Sequence, residues 1–294
     1  MTISRYEAFQ AIVDAGSLTR AAETLHVTQS GVSHAIASLE TELGFSLFTR
    51  ERNGVALTAN GRHLLPYARK VLQADETFRQ QVAALNGLEI GNVRIGTFSS
   101  VSAQWLPGII KNFQASHPAI DIRLMEGDYD DVSHWIASGA VDFGFVSLPV
   151  EKSLDVLVLT KDRMCCLLPP GHPLGKCKQL SLTQLADENF IMPVWGRNDE
   201  VRRVLAANHV RPNVRYEVAE DAAVTAMVEN GLGVSILSEM VLARCSLRHA
   251  QLVELSPAVY RVIGVAAPSF AALSPAAKKM LDFVRECITK QQNK

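Results

Sequence analysis

The stretch from Ser17 to Leu43, SLTRAAETLHVTQSGVSHAIASLETEL, constrains this chain more than any other. Val32, Ile36, Leu39 and Leu43 recur at i, i+4, i+7 and i+11, a single stripe on a helix of 3.6 residues per turn, and such a stripe has to be buried. Thr28 stands at the N-cap, where its hydroxyl can accept an orphan backbone N–H, and Gly44 follows the last turn as a C′ glycine. The opposite face carries Gln29, Ser30, Ser33, His34 and Ser38, which gain little from burial and are expected to look outward. An earlier helix starts after Ser17 and presents Leu18, Ala21, Ala22 and Leu25 before a turn at His26 and Val27. Small alanines let two helices cross closely, as a helix-turn-helix requires. In that motif the second helix enters the major groove, where Gln pairs bidentately with adenine and Ser serves several bases. On periodicity alone the same pattern suits a helical hairpin in an ordinary core.

The residues that follow favour the DNA-binding reading. LFTRERNGVALTANG supplies an apolar anchor at Leu47 and Phe48, a basic turn of Arg50, Arg52, Asn53 and Gly54, then Val55 and Leu57 alternating into Thr58, which reads as a short β-wing. Between Thr49 and Lys70 five basic residues face one acid, Glu51, a local charge of +4 in a chain of formal net charge -1. Phosphates are the expected counterpart. The segment AAETLHVTQSGVSHAIASLETELGFSLFTRERNGVALTANG resembles the N-terminal winged helix-turn-helix of the LysR-type transcriptional regulators, a bacterial family. The resemblance lies in the paired alanines, the Thr-Gln-Ser turn, Leu-Glu, Leu-Gly, Leu-Phe and a closing Thr-x-x-Gly. Ser30-Gly31 departs from the Pro-Ala of many members. The expected DNA-binding set is Thr28, Gln29, Ser30, Ser33, His34, Ser38, Arg50 and Arg52, with Gln29, Ser30, Ser33 and His34 reading bases and the two arginines holding phosphate or the minor groove.

At 294 residues the chain exceeds most single cores, so two or three domains are expected. The first fourteen residues mix charges and hold no long apolar run, unlike a signal peptide, and no charge-free apolar run of about 18 residues follows. A cytoplasmic protein is expected, with no membrane partner. Cys165, Cys166, Cys177, Cys245 and Cys287 form an irregular set, read as free thiols. Cys165, His172 and Cys177 match no usual zinc spacing, so neither metal nor cofactor is expected. There is no Gly-x-Ser-x-Gly elbow and no Gly-rich phosphate loop, which argues against an enzyme. A redox-sensing regulator, a solute-binding protein or an enzyme stay open as alternatives.

Residues 4 to 15 read as a first helix through Tyr6, Phe9 and Val13. From Thr58 a long helix extends to about residue 87, with a bend or late start expected at Pro66. Its apolar residues fall near a heptad spacing, and Leu65, Leu72, Phe78 and Leu85 are the expected dimer seam. Docking on its own chain is the alternative. Asn86, Gly87 and Gly91 then mark a linker. Beyond Asn92, VRIGTF, IDIRLM and VDFGFV read as strands with helices between, and Met164–Leu168, Phe190–Met192, Val214–Val218 and Gly233–Leu237 repeat the theme, predicting a mostly parallel sheet covered by helices.

GTFSSVSAQWLPGIIKNFQASHP, IASGAVDFGFV, PPGHPL and VENGLGVSILSE resemble the effector-binding domain of the same family. The implied fold is multidomain. An all-α winged helix-turn-helix with a dimerising linker helix precedes an α/β domain of two lobes, similar to periplasmic binding proteins, with a ligand cleft and two crossover strands. Expected bounds are 1–58, 59–88 and 89–294, with lobe I about 89–160 and 268–294 and lobe II about 161–267. Ligands bind beyond the carboxyl ends of strands, which nominates Ser99, Ser100, Ser102 and Ser147, with Trp195, Arg197 and Glu220 opposite. Hydroxyls there also suit plain helix capping, and Glu220 suits a helix N-terminus. The resemblance implies promoter DNA, a small effector such as an organic anion, RNA polymerase, and a homodimer or homotetramer as partners. The effector would shift lobe arrangement and thereby DNA bending.

Overall fold

A computed structural model describes residues 3–51, 54–87, 89–196, 200–245 and 247–292. The N-terminal unit comprises α1 (Ile3–Ala15), α2 (Leu18–Thr24), α3 (Gln29–Leu43) and an antiparallel hairpin of β1 (Phe48–Glu51) and β2 (Gly54–Leu57). The stripe on α3 enters the core through Val32, Ile36 and Leu39, against Phe9, Ala21, Ala22 and Leu47, while Leu43 packs at its edge. Both ends of α3 close as its sequence dictates. The Gly31 N–H donates to Thr28 Oγ1 at 3.1 Å. Gly44 takes φ +79°, a left-handed conformation that costs a glycine little.

Helix α4 (Ala59–Leu85) is capped by Thr58, whose Oγ1 accepts the Gly61 N–H at 3.0 Å. It starts at Ala59 and continues through Pro66, so the expected late start is not found. The burial of Leu65 and Ala68 in the N-terminal core holds the turns on both sides of the proline.

The proposed seam needs correction. Leu65 is 8 % exposed and belongs to that core. Leu72 is half-buried and lines a cleft facing its own chain. Six residues separate Leu72 from Phe78, a rotation of about 240°, so the two cannot share a face. The exposed stripe instead runs through Tyr67, Val71, Phe78 (68 %), Val82 and Leu85 (87 %).

The remaining elements are β3 (Gly91–Thr97), α5 (Ser99–Gln104), α6 (Leu106–Ser116), β4 (Ile120–Glu126), α7 (Tyr129–Ala137), β5 (Phe143–Ser147), β6 (Asp155–Leu168), β7 (Gln179–Leu180), β8 (Asn189–Pro193), α8 (Glu200–Ala207), β9 (Asn213–Val218), α9 (Asp221–Glu229), β10 (Ser235–Ser238), α10 (Glu239–Leu242), β11 (Gln251–Ala267) and α11 (Pro275–Gln292). The main sheet has the order β10-β6-β11-β5-β3-β4, with β7 beside β11, and β8 and β9 form a separate parallel pair. Only part of the main sheet is parallel. β3 runs parallel to β4 and β5, whereas β11 is antiparallel to β5 and β6, and β10 to β6. The sequence alternation exposed the strands joined by helices. It did not expose β11, whose run is interrupted by Pro257 inside a register shift between Glu254 and Val259. The long strands β6 and β11 pass through both lobes. One lobe packs around Val93, Ile95, Phe113, Phe143 and Val284, the other around Phe190, Val201, Val224 and Ile236.

One face of α4 docks on lobe I, as the alternative reading of that helix required. Gln80 Oε1 accepts the Ala276 N–H at 3.1 Å, and Gln73 Nε2 donates to Asp142 Oδ1 at 3.2 Å. Arg69 donates to Asp14 of α1 at 3.2 Å and to Ser138 at 3.3 Å, tying the N-terminal unit to the lobe. Among the described residues no helix is long and apolar enough to cross a membrane.

Candidate functional site

Two polar surfaces answer to the two sets of residues singled out by sequence. The first is the N-terminal half of α3. Gln29, Ser30 and His34 are exposed and Ser33 and Ser38 half-buried; Ser30, His34 and Ser38 turn away from Val32 and Ile36, while Gln29 is exposed because it opens the helix. The Thr28 hydroxyl is engaged by the Gly31 N–H and lies 3.1 Å from Ser30 Oγ, so it serves the helix end. The hairpin is fixed relative to this face by Glu40 on α3, whose Oε1 accepts the N–H groups of Leu47 at 2.6 Å and Phe48 at 3.1 Å. Thr58 Oγ1 donates to the Ser46 carbonyl at 2.8 Å and Arg62 Nη1 to the Leu57 carbonyl at 2.6 Å. A Cβ on Gly61 would strike the Leu47 carbonyl, the physical reason for a glycine closing Thr-x-x-Gly. Arg50 lies in β1 opposite Val55. Its side chain, and Arg52 altogether, lie outside the described residues.

The second surface lies between the lobes. Ser100, Tyr129 and Ser147 stand just beyond, or at, the carboxyl ends of β3, β4 and β5, where a doubly wound sheet places ligands. Each is already bonded to another part of the chain. Arg261 on β11 is 2 % exposed; its Nε donates to Asp162 Oδ2 at 2.7 Å, Nη1 to the Tyr129 hydroxyl at 3.0 Å and Nη2 to Ser100 Oγ at 2.8 Å. Its carbon centre lies 5.6 Å from the centroid of the Phe98 ring. Burial disfavours the Arg261 charge, but Tyr129, Asp162 and Glu200 outweigh it and hold the guanidinium protonated. Burial pushes the Tyr129 phenol above its usual range. Ser147 Oγ donates to Glu200, and the Tyr129 N–H donates to the Trp195 carbonyl at 3.1 Å.

This geometry revises the expected ligand set. Ser100 and Ser147 are buried and satisfied from within the chain, not open hydroxyls. Ser99 is half-buried, and Ser102 lies 3.5 Å from Thr97 Oγ1 on the side of its own lobe. Trp195 is buried and donates through Nε1 to Asp221 at 2.9 Å. Glu220 is an exposed N-cap residue, so the acid turned toward the cleft wall is its neighbour Asp221. Arg197 lies outside the described residues. Arg261, Asp162, Tyr129 and Glu200 were absent from the sequence reading. Arg261 meets its partner Ser100 across 161 positions, beyond any local pattern.

The cysteines are free, and Cys165 and Cys166 are buried. Burial pushes their thiols up to about 11 and about 12, the reverse of a reactive thiolate. Among the described residues no group of His, Cys, Asp and Glu is placed to hold a metal.

Residues 3–62 match the family described as bacterial regulatory helix-turn-helix protein, lysR family, and residues 86–288 match the LysR substrate binding domain. The chain belongs to the LysR family. It is thus a DNA-binding transcriptional regulator with an effector-binding domain. It is 36% identical over 292 residues, 97% of this chain and 98% of the other, to the uncharacterized HTH-type transcriptional regulator YvbU of Bacillus subtilis. It is 29% identical to the HTH-type transcriptional activator CmpR of Synechocystis, covering 82% of this chain and 80% of that one. In three dimensions it is similar to full-length OxyR from Pseudomonas aeruginosa, with TM-score 0.80, 21% identity and coverage of 98% and 97%. It is also similar to full-length CbnR, a structure in complex with its target DNA, with TM-score 0.63, 24% identity and coverage of 97% and 99%. The LysR fold therefore extends over nearly the whole chain.

Proposed function

We propose that this LysR-family regulator reads promoter DNA with Gln29, Ser30, Ser33 and His34 in the major groove, while Arg50 and Arg52 on the wing hold the phosphate backbone. The observation that carries this reading is the helix end itself. Gln29, Ser30 and His34 are exposed at the start of a capped helix held down by Val32, Ile36 and Leu39, and Glu40 fixes the wing beside it. A small molecule bound between the lobes shifts their arrangement and, through α4, the spacing of two DNA-binding units. The exposed stripe of Tyr67, Val71, Phe78, Val82 and Leu85 is the surface on which a second copy pairs, and further contacts extend the dimer to a tetramer. The working boundaries are 1–58, 59–88 and 89–294. Acting on promoter DNA places the protein in the cytoplasm with RNA polymerase as a partner, and no residue cluster described above calls for an enzymatic step. The high thiol pKa values of Cys165 and Cys166 favour the ligand-controlled reading over a redox-controlled one.

Band-shift titrations of promoter fragments at several salt concentrations test the proposal. Affinity should fall steeply with salt as phosphate contacts release counterions. Binding that ignores salt, or that survives unchanged in a Gln29→Ala, Ser33→Ala, His34→Ala triple variant, would remove it.

A further inference from the structure

One carboxylate between the lobes is incompletely hydrogen-bonded. Asp162 and Arg261 neutralise one another at 2.7 Å. Two further carboxylates, Glu200 and Asp221, face the same cluster. Both act electrostatically on Tyr129 and on Arg261 or its neighbours. Glu200 is 3 % exposed; one of its oxygens accepts from Ser147, and the other, Oε2, has no hydrogen-bond partner among the described residues. The Arg203 guanidinium lies 3.9 Å from Glu200 Oε1, the oxygen that Ser147 already occupies, and donates to the Leu148 carbonyl at 3.0 Å. Asp221 accepts from Trp195, and its cation, Arg244, stands off at 4.0 Å. Buried carboxylate oxygens are ordinarily hydrogen-bonded, because leaving one unpaired forfeits its hydration. Among the described residues, Glu200 Oε2 thus lacks a positively charged donor. Arg261, for its part, has five N–H groups and uses three of them on Asp162, Tyr129 and Ser100, which leaves donors for one more acceptor.

We propose that the effector is a zwitterion of the amino-acid class, whose ammonium group binds Glu200 and whose carboxylate binds the spare N–H groups of Arg261. This rests on the reading that the effector binds between the lobes, and it names the chemistry of that site. A plain organic anion would bring a further negative charge beside Glu200, whose Oε2 has no donor among the described residues. A zwitterion adds no net charge and satisfies both ends. The ammonium takes the place of the Ser147 hydroxyl on Glu200. That contact bridges the end of β5 in lobe I to the start of α8 in lobe II, so ligand binding exchanges a direct bridge between lobes for one through the ligand. Glu200 is the specificity-determining residue in this arrangement.

The experiment is calorimetry and thermal-shift titration of the full-length protein with the proteinogenic amino acids, each beside the carboxylic acid that lacks its amino group. The same titrations are run on Glu200→Gln, which keeps the shape and removes the charge, with circular dichroism and cooperative unfolding confirming its fold. Ser147→Ala supplies a second, milder variant. At least one amino acid should bind the parent protein. Its affinity should drop roughly tenfold or more when the amino group is removed from the ligand or the charge from Glu200, the scale of a lost hydrogen bond to a charged group. Ser147→Ala should lose little, since its hydroxyl is displaced by the ligand. If the acids lacking an amino group bind as tightly, and Ser100→Phe abolishes their binding, the amino-acid class is wrong and the cleft reading stands. If an amino acid binds with equal affinity to parent, Glu200→Gln and Ser100→Phe, the ligand lies outside the cleft and both fall. Binding by none of the amino acids overturns the proposal.

Discussion

The polar surface of α3 and the junction between the lobes are built from similar side chains, and they differ in where those side chains find partners. Ser30 is exposed at the start of α3, and its hydroxyl meets the local cap at Thr28. Ser100 and Ser147 are buried and bonded to Arg261 and Glu200, far along the chain. A polar group on an exposed helix face is left for an external partner, the DNA of the proposal above. A polar group in the cleft is held by the protein itself, so a ligand there must compete with bonds already made. The contrast separates the surface proposed to read DNA from the junction proposed to switch.

The largest test of this contrast strikes the buried pair. Arg261→Met leaves Asp162 unpaired in the interior and should destabilise the effector-binding domain by about 3–5 kcal/mol in urea denaturation, the scale for breaking one half of a buried pair. Adding Asp162→Leu should recover much of the loss, because the remaining unpaired charge is gone. A double variant no more stable than Arg261→Met would show that the pair, not the stray charge, sets the stability. On the other surface, Gln29→Ala should leave stability unchanged and instead cost roughly 1–3 kcal/mol of discrimination at one base position. Arg52→Ala should weaken all sequences alike. Equal and uniform losses from both would remove the division between reading and holding.

The two faces of α4 repeat the comparison on one helix. Leu65→Ala empties a core position and should cost about 2–5 kcal/mol of stability in the N-terminal unit. Phe78→Asp, on the exposed stripe, should leave the fold intact and shift sedimentation toward the monomer. A parent protein that sediments as a monomer would leave the stripe without the role assigned to it.

What could be read from sequence follows the range of the interactions. The caps at Thr28 and Thr58, the stripe of Val32, Ile36 and Leu39, and the glycine at Gly44 depend on residues within a few positions of one another, and spacing alone reveals them. The same rule explains the misplaced seam. A heptad count found the apolar residues of α4, but only the packed structure shows that Leu65 and Leu72 turn toward the chain's own domains while Phe78 and Leu85 turn away. Ser100 and Ser147 are nominated by their place at strand ends, and the structure sets both at the junction of the lobes, bonded to Arg261 and Glu200. The charges of that junction were not legible. Arg261 sits on a strand that Pro257 disguises, and Asp162, Glu200 and Asp221 reach it from three other elements. An arginine on a strand looks like an edge residue until the sheet order places β11 between β6 and β5.

Asp221 gives the smallest effect, and its sign distinguishes the cleft from an ordinary surface. Burial holds its carboxyl above the usual range, opposed by the Trp195 Nε1–H and by Arg244 and Arg261, and reinforced by Glu220. The folded state therefore keeps this proton to a higher pH than the unfolded state does. Between the ordinary and the raised pKa the folded chain binds more protons, so the contribution of Asp221 to stability is fully present below that window and falls as pH rises through it. A surface aspartate paired with an arginine has the opposite sign. Replacing Asp221 by Asn keeps an acceptor for Trp195 and removes the titration. The difference in unfolding free energy, variant minus parent, should grow from mildly acid pH toward neutrality and then level off. A difference that shrinks over that interval would mean that Arg244 and Arg261 outweigh burial, and the charge of Asp221 would then be matched without a ligand.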